Sequence, residues 1–316
     1  MRARLARLEC TDNVRKAWLF WARQFLEHHH AVMVDRLGEA EVMAFLDALP
    51  RRHDLSPAAR RQAFKAVRFL LEDVLDLRLA GLEAMADRLR REAGPLILTP
   101  SQVQQLLACL EHSDWLLASL VYGAGLRLLE CLRLRIRDLE PDRILVRDIN
   151  GRLVRETLLP ARVREPIRAH QEDLKLRHIR ELAEGYGGVQ LPVGVLGAPS
   201  LVRSWMWQFL FPGPYMGDPG NPDAPVLRCH LPEAEGRQVI ESGARQAGIH
   251  GGVTAATLRN SFAAHLIQRG VAVADVERLL GVRTASTALK RRSRESGSRE
   301  PGSAPLLSPV DTLAAH

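Results

Sequence analysis

Cysteine, lysine and tyrosine are scarce in this chain of 316 residues. The four cysteines, Cys10, Cys109, Cys131 and Cys229, stand far apart with no close pair. That spacing fits neither a zinc site nor a disulfide framework, so no metal is expected and the thiols read as reduced and mostly buried. No run approaches roughly 18 uncharged apolar residues, and the opening Met1-Arg2-Ala3-Arg4 is followed by no apolar stretch. Neither a membrane span nor a secretory signal is expected, and the chain reads as cytoplasmic. Lysine occurs only at Lys16, Lys65, Lys175 and Lys290, so 40 of the 44 basic residues are arginine. Tyrosine occurs only at Tyr122, Tyr186 and Tyr215.

Apolar residues make up 46% of the chain, enough to bury a core in each of about two domains at roughly 150 residues apiece. The net charge of +7 suits a polyanionic partner, although a GC-rich genome that favours arginine codons explains the arginines equally well. From Val14 to Phe25 the large apolar residues fall at Val14, Trp18, Trp21 and Phe25, one stripe of a helix. Further helices are expected from Glu39 to Leu49 and from Pro57 to Leu75. Gly94-Pro95 in a charged stretch suits a linker, and Thr99-Pro100 suits an N-cap with a first-turn proline. Residues 1–92 thus form a helical domain, 93–290 a second domain, and 291–316, rich in Arg, Ser, Gly and Pro, a disordered tail.

Within the second domain the spacing predicts helices over 101–110, 115–122, 126–136, 163–184, 233–247 and 257–269, with a short one ending at Leu280-Gly281. The period changes at Ile144–Arg147 and Leu153–Leu158, two runs flanking Asn150-Gly151. A type I′ hairpin, with positive φ at both central residues, is expected there as the one clear sheet. The fold class is therefore mainly α with a small antiparallel sheet (α+β). His28-His29-His30 suggests metal, but neighbouring helical residues diverge by about 100° and no carboxylate is spaced to join them, so a solvated face is expected.

Tyr122-Gly123-Ala124-Gly125-Leu126-Arg127-Leu128-Leu129-Glu130, followed by Asp138-Leu139, resembles the first arginine box of tyrosine recombinases. Leu258-Arg259-Asn260-Ser261-Phe262-Ala263-Ala264-His265-Leu266, followed by Val276 to Gly281, resembles their second box. Trp205 to Pro212, Leu227 to Leu231 and the ending Ser308 to Leu313 narrow the resemblance to the integron integrases. It implies a two-domain clamp, in which a helical core-binding (SAM-like) domain and a catalytic-type domain grip DNA. One strand is cut through a 3′-phosphotyrosyl intermediate, with no cofactor. The partner so implied is DNA, as duplex or folded single strand, with a homo-oligomer on it.

Two arginines suit that chemistry because planar guanidinium forks match the spread charge of a phosphodiester in flight, and the resemblance assigns these roles to Arg127 and Arg259. The other family positions are replaced. The hairpin lysine, the general acid, aligns with Asn150; the assisting histidine with Ala256; the histidine or tryptophan after Leu-Leu-Gly with Val282; the nucleophilic tyrosine with Arg291. Ser286 or Ser293 could stand in as nucleophile only with a base that nothing nearby supplies.

For DNA binding the candidates are Lys16, Arg23, Lys65, Arg155, Trp205, Trp207, Arg228 and His230. The aromatics among them read as core by default, or as a stack for an unpaired base as the resemblance implies. The expected function is therefore that of a DNA-binding integron-type integrase with an impaired active site. The alternative is an active recombinase whose sequence is corrupted by a frame disturbance near 284–305. A basic helical protein with an unrelated binding role is a third reading, which the two boxes disfavour.

Overall fold

The computed structural model describes residues 1–5, 12–53, 57–77, 79–92, 96–195, 199–217, 225–282 and 307–313. These are mainly helical with two small antiparallel sheets, the expected fold class. The chain divides into two compact units, Met1–Gly94 and Pro95–His316.

In the first unit α1 (Asp12–His28), α2 (Glu39–His53) and α3 (Pro57–Phe69) bury the stripes legible in the sequence: Trp21 and Phe25, Val42, Phe45 and Leu46, Ala63 and Val67. Phe25 and Phe45 meet edge-on with centroids 5.4 Å apart. Two features differ from expectation. The third helix does not run regularly to Leu75; it widens at Leu70–Val74 into a π turn, where the Leu75 N–H bonds the Leu70 carbonyl. A fourth helix, α4 (Gly81–Glu92), closes the unit by burying Leu82, Met85 and Leu89. The charged string of its second half hides that stripe in the sequence.

The second unit begins with α5 (Pro100–Ala108). Its N-cap Thr99 and Gln102 form a reciprocal capping box with Pro100 in the first turn. Next come α6 (His112–Gly123), α7 (Leu128–Leu132), β1 (Arg143–Arg147), β2 (Leu153–Leu158), α8 (Arg164–Ala183), β3 (Pro212–Met216) and β4 (Leu227–His230). The last three helices are α9 (Glu233–Gln246), α10 (Ala255–Gln268) and α11 (Val273–Leu280). Buried Leu116, Leu117, Leu120 and Val121 of α6 and Leu258, Phe262 and Leu266 of α10 lie in one core. There the Tyr122 hydroxyl lies 2.8 Å from His265 Nδ1.

The expected helix over 126–136 is cut short. The Arg135 N–H bonds the Asp138 carboxylate and the Ile136 N–H bonds the Gln208 carbonyl, which turns this stretch toward the segment at 205–211. The hairpin joins β1 and β2 as expected, but its turn is not type I′. Gly151 alone takes positive φ, at +81°. The Gly151 N–H bonds the Asp148 carbonyl, the Asp148 and Arg152 backbones close the loop, and the Asp148 carboxylate accepts the Asn150 and Arg152 N–H groups. This is a three-residue loop with a bulge, favoured here because Asp148 satisfies the turn from its own side chain. A second hairpin-like pair, β3 with β4, was not legible in its glycine- and proline-rich surroundings.

The tail expected to be disordered over 291–316 is ordered near its end. Pro309–Thr312 form a helical turn capped by Ser308. Ser308 Oγ donates to the Gly123 carbonyl at 2.6 Å, the Asp311 carboxylate accepts the Ala161 and Arg162 N–H groups, and Val310 is fully buried. An apolar residue in a serine-capped turn is enough to dock the segment, which composition averaged over the tail conceals. The rest of that expectation, including Arg291, lies outside the described residues. Val310→Asp should release this segment by burying an unpaired charge. Limited proteolysis with mass mapping checks this: new cleavage is expected between 307 and 313, and an unchanged pattern would contradict the docking.

Candidate functional site

Arg127 and Arg259 meet at a carboxylate. After α6 the chain turns at Gly125, φ +62°, where a Cβ would lie 2.5 Å from the Phe262 ring, so glycine is required by both angle and space. The turn sets Arg127 at the start of α7 and Glu130 in its first turn. Glu130 accepts the Arg127 backbone N–H and Arg127 Nη1, each at 2.7 Å. From β2, Arg155 grips the same carboxylate with both terminal nitrogens, at 2.8 and 2.7 Å, while its Nε donates to the Leu279 carbonyl at 2.8 Å. Arg259 on α10 donates Nη1 to the Gly125 carbonyl and Nη2 to the Leu280 carbonyl at 2.6 Å, and lies 3.7 Å from Glu130. Two guanidiniums thus satisfy the last carbonyls of α11, whose helix ends at Gly281 with φ +63°.

Three guanidiniums around one carboxylate leave a local charge of +2. Burial pushes the Glu130 carboxyl upward, but the hydrogen bonds from Arg155 and Arg127 outweigh it and bring the group down to about 2. Burial pushes the Arg259 guanidinium down to about 10, against the pull of Glu130, so it stays charged at neutral pH. Arg127 keeps 52% of its side chain exposed, whereas Arg155 keeps 5%. Arg127 and the uncommitted N–H groups of Arg259 are what the centre can offer to a tetrahedral oxyanion.

Asn150, Ala256 and Val282, which the resemblance sets against catalytic residues, carry no titratable proton, and Arg291 lies outside the described residues. Asn150 is exposed at the hairpin tip, Ala256 is exposed in the first turn of α10, and Val282 packs partly buried against the core. None of the tyrosines substitutes. Tyr122 is buried beside His265, with its phenol pushed upward by burial, and Tyr215 donates to Glu181 at 3.0 Å. Tyr186 stacks obliquely near Tyr215.

The remaining candidates separate. Arg155 is corrected from a DNA-facing side chain to a member of the buried centre; β2 alternates inward at 155 and 157, and this parity was the missed signal. Arg228 is likewise buried, paired with Glu181 and bonded to the Gly213 carbonyl, so it offers no fork to solvent. Trp205 turns inward against His178 and the main core. Trp207 and His230 instead line a cleft of about 260 Å³ with Phe209, Arg133, Arg137 and Arg147, and Glu130 forms part of its wall. Arg137 lies over the Trp207 ring at 4.3 Å and Arg135 over Phe209 at 4.1 Å. The alternation Leu132-Arg133-Leu134-Arg135-Ile136-Arg137 was the sequence signal for these arginines. In the first unit Lys16, Arg23 and Lys65 are exposed, Arg23 being paired with Glu27. Among the described residues no group of His, Cys, Asp or Glu could hold a metal, and no helix is long and apolar enough to cross a membrane.

Residues 1–80 match the family model described as phage integrase, N-terminal SAM-like domain. An integrase/recombinase of Escherichia coli is 31% identical over 317 residues, covering 99% of this chain and 92% of the relative. Tyrosine recombinase XerD of Mycobacterium tuberculosis is 29% identical over 83% of this chain and 80% of its own. Among solved structures, the XerH site-specific recombinase bound to palindromic difH substrate aligns with TM-score 0.57 at 17% identity, over 89% of this chain and 76% of that one. A lambda integrase dimer bound to a COC' core site aligns with TM-score 0.52 at 12% identity, over 94% of each. These two support the fold, and the identity to the E. coli relative carries the family: this chain belongs to the tyrosine recombinases and integrases.

Proposed function

We propose that this chain is an integron-type integrase by descent that binds DNA, duplex or folded single strand, as a homo-oligomer and holds a phosphodiester without cutting it. One observation carries the reading: the phosphate-binding half of the site is built, with Arg127 and Arg259 held around Glu130, while every tyrosine of the chain precedes Arg259. Residues 1–92 serve as the core-binding domain, with Lys16, Arg23 and Lys65 toward the backbone of DNA, and 93–290 as the catalytic-type domain. The integron assignment is supported by the cleft lined by Trp207, His230 and four arginines, whose aromatic and guanidinium faces suit an unpaired base. A second reading, local corruption of an active gene, is favoured by Ser308–Leu313, which dock on the second unit and whose sequence resembles the family again after a stretch of sequence that does not. Compensating single-base shifts between codons 284 and 305 that restore a tyrosine codon would establish it.

Salt-dependent binding tests the proposal. Each phosphate neutralised contributes about −0.9 to the slope of log affinity against log salt on duplex, so several contacts should give a slope steeper than about −3. Arg127→Ala should flatten that slope by about 1 and leave the melting temperature nearly unchanged. No measurable binding to hairpin or duplex at low salt would defeat the reading.

A further inference from the structure

Helix α8 has two apolar faces where one is enough to attach it. Ile167 and His178 are buried toward the core. On the opposite side Leu176 and Ile179, 61% and 54% exposed, stand one turn apart with Ala183 beyond them. Large exposed aliphatics side by side on one stripe mark an interaction surface more than solvent packing does.

The charges along this stripe identify what it takes. Glu172 and Asp173 precede Leu176, and Arg180 follows Ile179. At about 100° per residue Asp173 and Arg180 fall on the same flank. All three charged residues are exposed, and none makes an ion pair among the described residues. The pattern is self-complementary. A second copy laid antiparallel sets Leu176 against Ile179 of the other copy and Asp173 beside its Arg180, twice by symmetry.

We propose that this face of α8 is a two-fold self-association surface whose occupant is a second copy of this chain, formed without DNA and independent of the arginine centre. A contact built on one helix is small, so the dimer belongs to the weak, concentration-dependent class.

Sedimentation velocity of the full chain without DNA, across the micromolar range, tests it. The wild type should shift from monomer to dimer with concentration, and Leu176→Glu with Ile179→Glu should abolish the shift while the circular-dichroism melt is unchanged. Asp173→Arg alone and Arg180→Asp alone should each weaken the dimer roughly tenfold, and the two together should restore it. A wild type that stays monomeric would overturn the proposal. So would a dimer indifferent to the two glutamates, or a charge swap that fails to restore association. DNA binding measured on the same variants reads the functional proposal separately, because these residues lie on the surface of α8 and not in the arginine centre.

Discussion

A nicked suicide duplex incubated with this protein is expected to yield no covalent adduct that survives denaturation. Loss of a general acid slows such a reaction by roughly 10²- to 10⁴-fold, but loss of the covalent nucleophile removes the pathway. On the proposed reading both are replaced, at Asn150 and Arg291. Two of the three tyrosines are committed elsewhere, Tyr122 to His265 inside the core and Tyr215 to Glu181, and Tyr186 lies beside the Tyr215 ring. Repair makes the expectation sharper. Asn150→Lys, Ala256→His, Val282→His and Arg291→Tyr together should give little cleavage, because residues 290–305 do not resemble the family stretch that would hold a phenol at a fixed distance from phosphate. The same four changes with a family-like segment in place of 290–305 should give a detectable adduct. An adduct from the unmodified chain, mapped to any residue, would overturn the inactive reading; none even after the transplant would place further decay beyond the active site.

Arg155→Ala should destabilise the second unit by about 3–5 kcal/mol, the range for removing one partner of a buried ion pair. Arg155 is the buried guanidinium that grips both oxygens of Glu130, and the Leu279 carbonyl loses its partner as well. Replacing both members, Arg155→Met with Glu130→Leu, should cost at least as much as the single change, since Arg259 and Arg127 are then left without the carboxylate between them. Chemical denaturation reads both. Acid adds an independent check. Glu130 titrates near 2 in the folded protein against an ordinary value of 4.5, so its contribution is present above about 4.5 and is lost as the pH falls toward 2. Arg155→Ala raises the folded value and should flatten that acid limb. A single change that leaves stability unaltered, with an unaltered acid limb, would show that the fork does not hold the unit.

The helical stripes and the two arginine boxes were legible because they repeat at helical spacing or cluster in sequence. Thr99-Pro100 was legible because a cap is a local device. Arg155 was not, since its partners Glu130 and Leu279 come from distant segments and only strand parity hints that it faces inward. Nor was the form of the hairpin turn: Asn150-Gly151 is the ordinary type I′ signature, and it was the Asp148 carboxylate that chose another loop. The docked ending was hidden by averaging six ordered residues with the polar stretch before them.

Because Arg155 and Arg259 close the end of α11, Arg259, proposed to face a phosphodiester, also joins the buried Arg155 in riveting the hairpin, α7 and α11 into one body. Selection for mere persistence of the fold would therefore retain them in any chain that no longer cuts. Positions such as 150 and 256, exposed and bonded to nothing in the core, carry no such double duty and are free to drift first. In this architecture the order in which a recombinase forgets its chemistry is written by which residues also hold it together.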